Sequence, residues 1–357
     1  PWILQQAFGE ATTRTISERN PYYWKVDAEG KQLPYIDRQS IGLVAETEAL
    51  VLQALNGEID VQERHITEPK NKSVYFDNQE IGKFHLIDLT PTTVNAFVIQ
   101  LNMNCDDPVM REIANNRDFR IGLSYAVDRN ELNDVVYVSQ GAPHQAAPRP
   151  ESVYYHERLA TQYTEFDLDK ANEYLDKTGW TERDADGFRL GPDGKRISII
   201  MELDQGRTTY IDTMELVKPT WAAVGVEVNV KTMERSLWEE RCRRRNLEFH
   251  ASGHRFGGGA GDAVVLDPRY WFPQSNGSSM FAKRWAFWYN DPTAEDAEEP
   301  PEVVKNQMEL YDSLQLTGDA DEQAQIMKEL LDISADYFYA IGTILEPNAY
   351  AIVTDRM

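Results

Sequence analysis

Two histidines four residues apart, His250 and His254, lead into a glycine-rich run, GGGAGDA, at 257–263. On a helix that spacing would put both imidazoles on one face, as a metal site needs. The flanking residues, LEFHASGHRF, read as a strand, where four residues is too long a step for shared ligation. The glycine run could cradle a phosphate, but it lacks the Lys-Ser/Thr ending of a P-loop and the full dinucleotide-binding spacing. What remains is a loop whose backbone can approach a ligand closely, or a plain connection. DADG at 184–187 opens like a calcium loop, yet Lys195 stands at the twelfth position, where glutamate is required, so a turn is expected. The 59 carboxylates single out no acid–base pair, since sequence cannot set their separation. No Gly-x-Ser-x-Gly elbow occurs, and neither Cys105 nor Cys242 has a nucleophile's context. Two cysteines make neither a disulfide framework nor a zinc pattern; a single bridge between them stays open. The expectation is a protein with no catalytic residue, no metal and no cofactor.

Aromatic residues are the other candidate chemistry. Tyr270-Trp271-Phe272, and Trp285 with Trp288 and Tyr289, lie in polar, turn-like surroundings. Amphipathic rings there suit a wet ligand pocket or an interface; a place in the core is the alternative.

The elements that must position these groups alternate in type. TRTISER (13–19) and IDRQSIGLV (36–44) read as strands, and ETEALVLQALN (46–56) as a helix stopped by Gly57. Residues 83–102 give two strands split at Thr90-Pro91. Residues 107–137 give helices broken near Asn115-Asn116, with Asp128 and Glu131 at capping-box spacing. A Pro-rich loop (141–152) and an amphipathic helix (167–180) follow. RISIIMEL and VEVNVKTM are strands either side of a helix that contains Pro219. RSLWEERCRRRN is expected as a basic helix, and 302–339 as two helices before a last pair of strands. The recurring strand–helix order predicts an α/β class.

With 357 residues the chain exceeds the size at which one core keeps growing, about 250–300 residues, so two domains are expected. The net charge of −23 repels phosphate backbones, which argues against nucleic acid and anionic membrane surfaces as partners. No stretch approaches the roughly 20 apolar residues of a membrane span. PWILQQAFG at the start and AYAIVTDRM at the end both read as interrupted folded segments, as expected of a piece of a longer protein.

ERNPYYW (18–24) followed by LPYID (33–37) resembles a hallmark of the extracellular solute-binding proteins of family 5, the oligopeptide- and dipeptide-binding proteins of ABC importers. ALNGEIDVQ (54–62), NRDFRIGLSYAVDRNEL (116–132), GAPHQAAPRP (141–150), DKANEYLDKTGW (169–180) and AAVGVEVNVK (222–231) match further family positions in order. The resemblance implies a two-lobed periplasmic-binding-protein-like fold, type II, cluster C. Residues 1–97 and 345–357 would be part of the first lobe, and 98–344 a nearly complete second lobe. It also implies a non-enzymatic role: capture of an oligopeptide between the lobes and delivery to an ABC permease in the inner membrane. The protein would be a periplasmic monomer whose signal peptide lies in the missing N-terminal part. An oligosaccharide is the alternative ligand, and a hydrolase on an α/β scaffold the rival from another class.

In the peptide binders an Asp in a Gly-Trp-x-x-Asp loop holds the ligand's amino terminus. Here the equivalent stretch is GHRFGGGAGD (253–262), with Phe256 in place of Trp and Asp262 or Asp267 for the Asp; the altered spacing leans toward a sugar. The same matching places Glu63, Arg64, Thr93, Asn95 and Phe97 near the cleft. His254, Arg255, Gly257 and Trp271 complete the expected ligand-binding set.

Overall fold

The computed structural model describes residues 1–9, 13–89, 91–243, 247–261, 263–346 and 348–356, with Phe256 described by its backbone alone. The chain forms two compact units, Pro1–Leu89 with Tyr350–Met357, and Thr90–Ala349.

In the first unit, β1 (Trp2–Gln6), β2 (Arg14–Arg19) and β3 (Arg38–Gly42) form an antiparallel sheet in that order. None of its described residues is buried, and Leu4, Ile41 and the following Leu43 stand exposed. A small core lies further along. The helix α1 (Thr47–Leu55) and the two-residue strand β4 (Val61–Gln62) precede α2 (Lys72–Gly82) and β5 (Phe84–Leu89). β4 and β5 flank the strand Ala349–Thr354. Ala54, Ile66, Tyr75, Phe84, Tyr350 and Ile352 close over one another there.

The second unit is built on a five-stranded sheet. β6 (Asn95–Leu101) is buried along its whole length. Three capped helices follow: α3 (Pro108–Asn115), α4 (Arg117–Tyr125) and α5 (Arg129–Val135). Asp107, Asn116 and Asp128 each accept backbone N–H groups at the respective first turns, which satisfies donors a helix start leaves open. The short strand β7 (Ala142–Pro143), α6 (Glu157–Thr161) and α7 (Leu168–Lys177) lead to β8 (Ser198–Asp204). The long helix α8 (Thr208–Ala223) connects it to β9 (Glu227–Met233), parallel to β8. α9 (Arg235–Trp238) runs into a π-helical turn, Glu239–Arg243, and then β10 (Ala251–Phe256). After α10 (Ala263–Leu266) and α11 (Lys283–Asn290), α12 (Glu302–Leu316) packs on α13 (Ala320–Tyr337). β11 (Ile341–Gly342) joins the sheet and β12 (Ile344–Leu345) pairs with β7. The sheet order is β11-β6-β10-β8-β9, with β8, β9 and β10 parallel and β6 antiparallel to β10.

Three expectations change. The units divide at 89/90 and 349/350 rather than at 97/98 and 344/345, because β6 is a strand of the second unit's sheet. The basic helix is one turn of α-helix and a π turn, and residues 244–246 lie outside the described residues. The aromatic run 283–290, expected as turn-like, is the helix α11, and Trp285 on it is buried. Cys105 and Cys242 are both free thiols in the interior. Among the described residues no helix is long and apolar enough to cross a membrane.

Candidate ligand-binding site

In an open sheet of parallel strands, ligands bind outside the carboxyl ends. Three strands of the second unit, β8, β9 and β10, end on one side, and antiparallel β6 begins there, with Phe256 opposite Asn95. Several residues at and just beyond this end are polar. Asp204, last in β8, accepts from the N–H of Gly206 at 2.9 Å and pairs with Arg235 at 3.0 Å. Arg235 pairs in turn with Glu239. At the end of β10 the backbone N–H of Arg255 donates to the Tyr210 hydroxyl at 3.0 Å, while its guanidinium donates to Glu346 Oε1 at 3.2 Å. Glu346 Oε2 accepts from Thr93 Oγ1 at 2.6 Å. The Arg255 side chain is 50% exposed.

The glycine-rich loop packs directly on the residues before β6. The Gly259 N–H donates to the Thr92 carbonyl at 2.7 Å, and the Gly259 carbonyl accepts from the Arg149 N–H at 2.8 Å. A Cβ on Gly259 would lie 2.9 Å from the Thr93 carbonyl oxygen, so only glycine fits so close an approach. Gly258 has φ +93 and turns the chain back toward Asp267. Asp267, ion-paired with Arg269, lines an open polar cleft of about 400 Å³ shared with Gln274, Asn276 and Asn290.

Burial sorts the expected residues. Thr93, Arg255, Gly257 and Asp267 stand at or beside this end of the sheet; Arg255 and Gly257 are exposed, Asp267 is half-buried and Thr93 is buried. Asn95, Phe97 and Trp271 are fully buried. Asn95 Oδ1 accepts from the N–H groups of Thr343 and Ile344 at 2.9 and 3.2 Å, and its Nδ2 donates to the His144 carbonyl at 2.9 Å. Phe97 stacks on Tyr210 with ring centroids 4.8 Å apart. Trp271 donates its indole N–H to the Ala146 carbonyl at 3.0 Å, and Tyr270 and Phe272 are interior too. Asn95, Phe97 and Trp271 are all bound into the framework of the second unit. His254 lies flat on Trp238, at 5.4 Å and 10°. Burial first, then the nearby guanidinium groups of Arg243 and Arg235, push its imidazole down to about 3, so it is neutral at ordinary pH. Asp262 and the Phe256 side chain lie outside the described residues. Glu63 and Arg64 are exposed in the first unit, in the loop after β4, with the Glu63 carbonyl accepting from Thr67 Oγ1 at 2.6 Å.

Sequence reasoning missed Glu346, Arg149 and Tyr210. Glu346 is one carboxylate among 59, and nothing local marks it. The DADG stretch is a turn, and a guanidinium fills its centre: Arg196 pairs with Asp184 at 2.6 Å, with Glu227 at 3.0 Å, and with Asp186. Among the described residues no group of three His, Cys, Asp or Glu side chains could hold a metal ion.

The α/β architecture is that of the periplasmic-binding-protein class. Residues 1–292 match the model described as bacterial extracellular solute-binding proteins, family 5 middle. The chain belongs to that family of extracellular solute-binding proteins. It is 23% identical to the periplasmic alpha-galactoside-binding protein of Rhizobium meliloti, over 94% of this chain and 48% of that one. It is 24% identical to the oligopeptide-binding protein AppA of Bacillus subtilis, over 61% of this chain and 37% of that one. Among solved structures, an oligopeptide-binding protein OppA matches with TM-score 0.71 and 31% identity, over 99% of this chain and 57% of that one. The periplasmic binding protein MelB from Agrobacterium fabrum, in complex with stachyose, matches with TM-score 0.79 and 20% identity, over 99% and 52%. The chain thus spans about half the length of the relatives it matches most fully.

Proposed function

We propose that this chain is part of the substrate-binding component of an ABC importer. It works in the periplasm, binds an oligopeptide without chemical change, and hands it to a permease in the inner membrane. The observation that carries this reading is the family match over residues 1–292 together with the polar set Thr93–Glu346–Arg255 at the carboxyl end of the second unit's sheet. Arg255, Thr93 and the backbone of Gly257 are the proposed contacts there, with Asp267 beside them in the polar cleft. Glu63 and Arg64 are the proposed contacts from the first unit. Ligand capture stabilises whichever conformation binds better, by the difference in affinity between conformations and no more.

An oligosaccharide is the second reading, and two observations favour it. The relative matched over 94% of this chain is an alpha-galactoside-binding protein. The stretch GHRFGGGAGD departs from the spacing that would anchor a peptide's amino terminus. Isothermal titration of the full-length protein with pentapeptides and with stachyose separates the two. Heat with peptides alone supports the first reading, and heat with stachyose alone replaces it with the second. Hydrolysis of either ligand during the titration would overturn the non-enzymatic reading.

A further inference from the structure

The chain passes between its two units twice, after Leu89 and after Ala349. The residues of the second unit next to these crossings are tied to each other in two ways. Thr93 Oγ1, beside the first crossing, donates to Glu346 Oε2, beside the second, at 2.6 Å. The Arg149 guanidinium, 3% exposed, reaches the carbonyl oxygens of both Thr93 and Glu346 at 3.4 Å. The backbone N–H of Arg149 is fixed by Gly259, whose own N–H holds Thr92. Thr92 and Thr93 beside the first crossing and Glu346 beside the second are thus linked, directly or through Arg149, to the glycine-rich loop at the end of β10.

Glu346 does one thing more. Its second oxygen accepts from Arg255, half-exposed at the candidate site. Thr93 and Arg255 each take one oxygen of the same carboxylate, which is itself only 17% exposed. Charge-assisted hydrogen bonds that share an acceptor in a partly desolvated place depend on one another. We propose that Glu346 is a positioning residue that couples Arg255 to the two chain crossings. An anionic group that draws Arg255 away leaves the carboxylate to Thr93 alone, whereas a neutral ligand leaves the shared arrangement in place. Arg255 as a ligand contact rests on the proposed function; the coupling through Glu346 does not.

The test is hydrogen–deuterium exchange on the full-length protein, read in peptides covering 91–97 and 343–349, with peptides from α12 as the internal control. Glu346→Gln is expected to speed exchange in both segments together, by about tenfold for the loss of a charge-assisted bond. Thr93→Val and Arg255→Ala are expected to be non-additive when combined, and to become independent in the Glu346→Gln background. Thr93→Ser, which keeps the hydroxyl, restores wild-type exchange. A purely local packing role for Glu346 would change rates without creating that background-dependent coupling. Additive effects of Thr93→Val and Arg255→Ala overturn the proposal, as does faster exchange in one segment only. If Glu346→Gln does not fold, the cycle between Thr93 and Arg255 decides alone. Binding of stachyose and of a pentapeptide is scored separately. Coupling without binding supports Glu346's role and sinks the proposed function, and binding with additive effects does the reverse.

Discussion

Asn95→Ala tests whether the buried start of β6 is held by one side chain. Asn95 is fully buried, and its amide serves the backbone N–H groups of Phe97, Thr343 and Ile344, the Thr343 hydroxyl and the carbonyl of His144. Alanine leaves all of these without that partner. Each buried group so stranded costs about 1–3 kcal/mol, and the set together about 3–5 kcal/mol once neighbours relax. That is a large share of the ~5–15 kcal/mol by which domains are stable. Urea unfolding followed by tryptophan fluorescence reports on this unit, since Trp221, Trp238 and Trp271 are all fully buried in it. With a slope of about 2–3 kcal/mol/M, the midpoint should fall by about 1–2 M at unchanged slope. Asn95→Asp keeps an acceptor for the N–H groups but replaces the donor to His144. Its loss should grow as pH rises past about 3.9, because burial disfavours the charged carboxylate. A midpoint shift under about 0.3 M for alanine would refute the reasoning, since it would mean the stranded groups find other partners at little cost.

Three further outcomes are expected. His144, pushed down to about 4 by burial, and His254, pushed down to about 3, bind fewer protons folded than unfolded below their ordinary 6.5. Stability should therefore fall as pH drops from 6.5 toward 3, and His254→Phe, which keeps the stacking on Trp238, should flatten that fall in a pH series of thermal melts. Gly259→Ala drives a Cβ into the Thr93 backbone and should cost about 1–3 kcal/mol in the same urea assay. Gly318→Ala, with nothing within 4 Å, should be near neutral. Arg129→Met removes a fully buried guanidinium that donates to the Gly342 carbonyl at 2.8 Å and the Ser124 carbonyl at 2.9 Å. Burial pushes Arg129 down to about 9, against the charge of Glu165, so it is still a cation near neutral pH. Stranding those carbonyls should cost about 3 kcal/mol, and Arg129→Lys should restore only part of it because an ammonium cannot match the planar fork.

Much of the framework was legible because its signals are local. Asp107-Pro108, Asn116 and Asp128 mark helix starts by side chains that bond the first turn, β8 stands out by its apolar run Ile199–Met201, and β9 by its alternation of Val228 and Val230 with polar residues. α11 was not legible: Trp285, Ala286, Trp288 and Tyr289 look like a surface cluster until the helix turns Trp285 and Ala286 inward. The candidate site was half legible. Arg255 and the glycine loop follow from the end of a strand. The burial of Asn95 and Phe97 could not be read from the sequence, because β6 is covered on both faces, where alternation no longer tells one side from the other. The burial of Trp271 was not legible either, since its indole partner, the Ala146 carbonyl, is 125 residues away along the chain. Glu346 could not be found at all: its partners Thr93 and Arg255 are 253 and 91 residues away along the chain.

Ligand-dependent thermal stabilisation of the full-length protein, screened with tri- to pentapeptides and with stachyose, tests the central claim most directly. Binding to the native state raises the midpoint by mass action, by about 2.7 kcal/mol at a hundred times Kd. The account predicts a concentration-dependent rise with one ligand class that Arg255→Ala weakens. An unchanged midpoint with every ligand, or a rise that Arg255→Ala leaves intact, would contradict a solute site at the carboxyl end of this sheet.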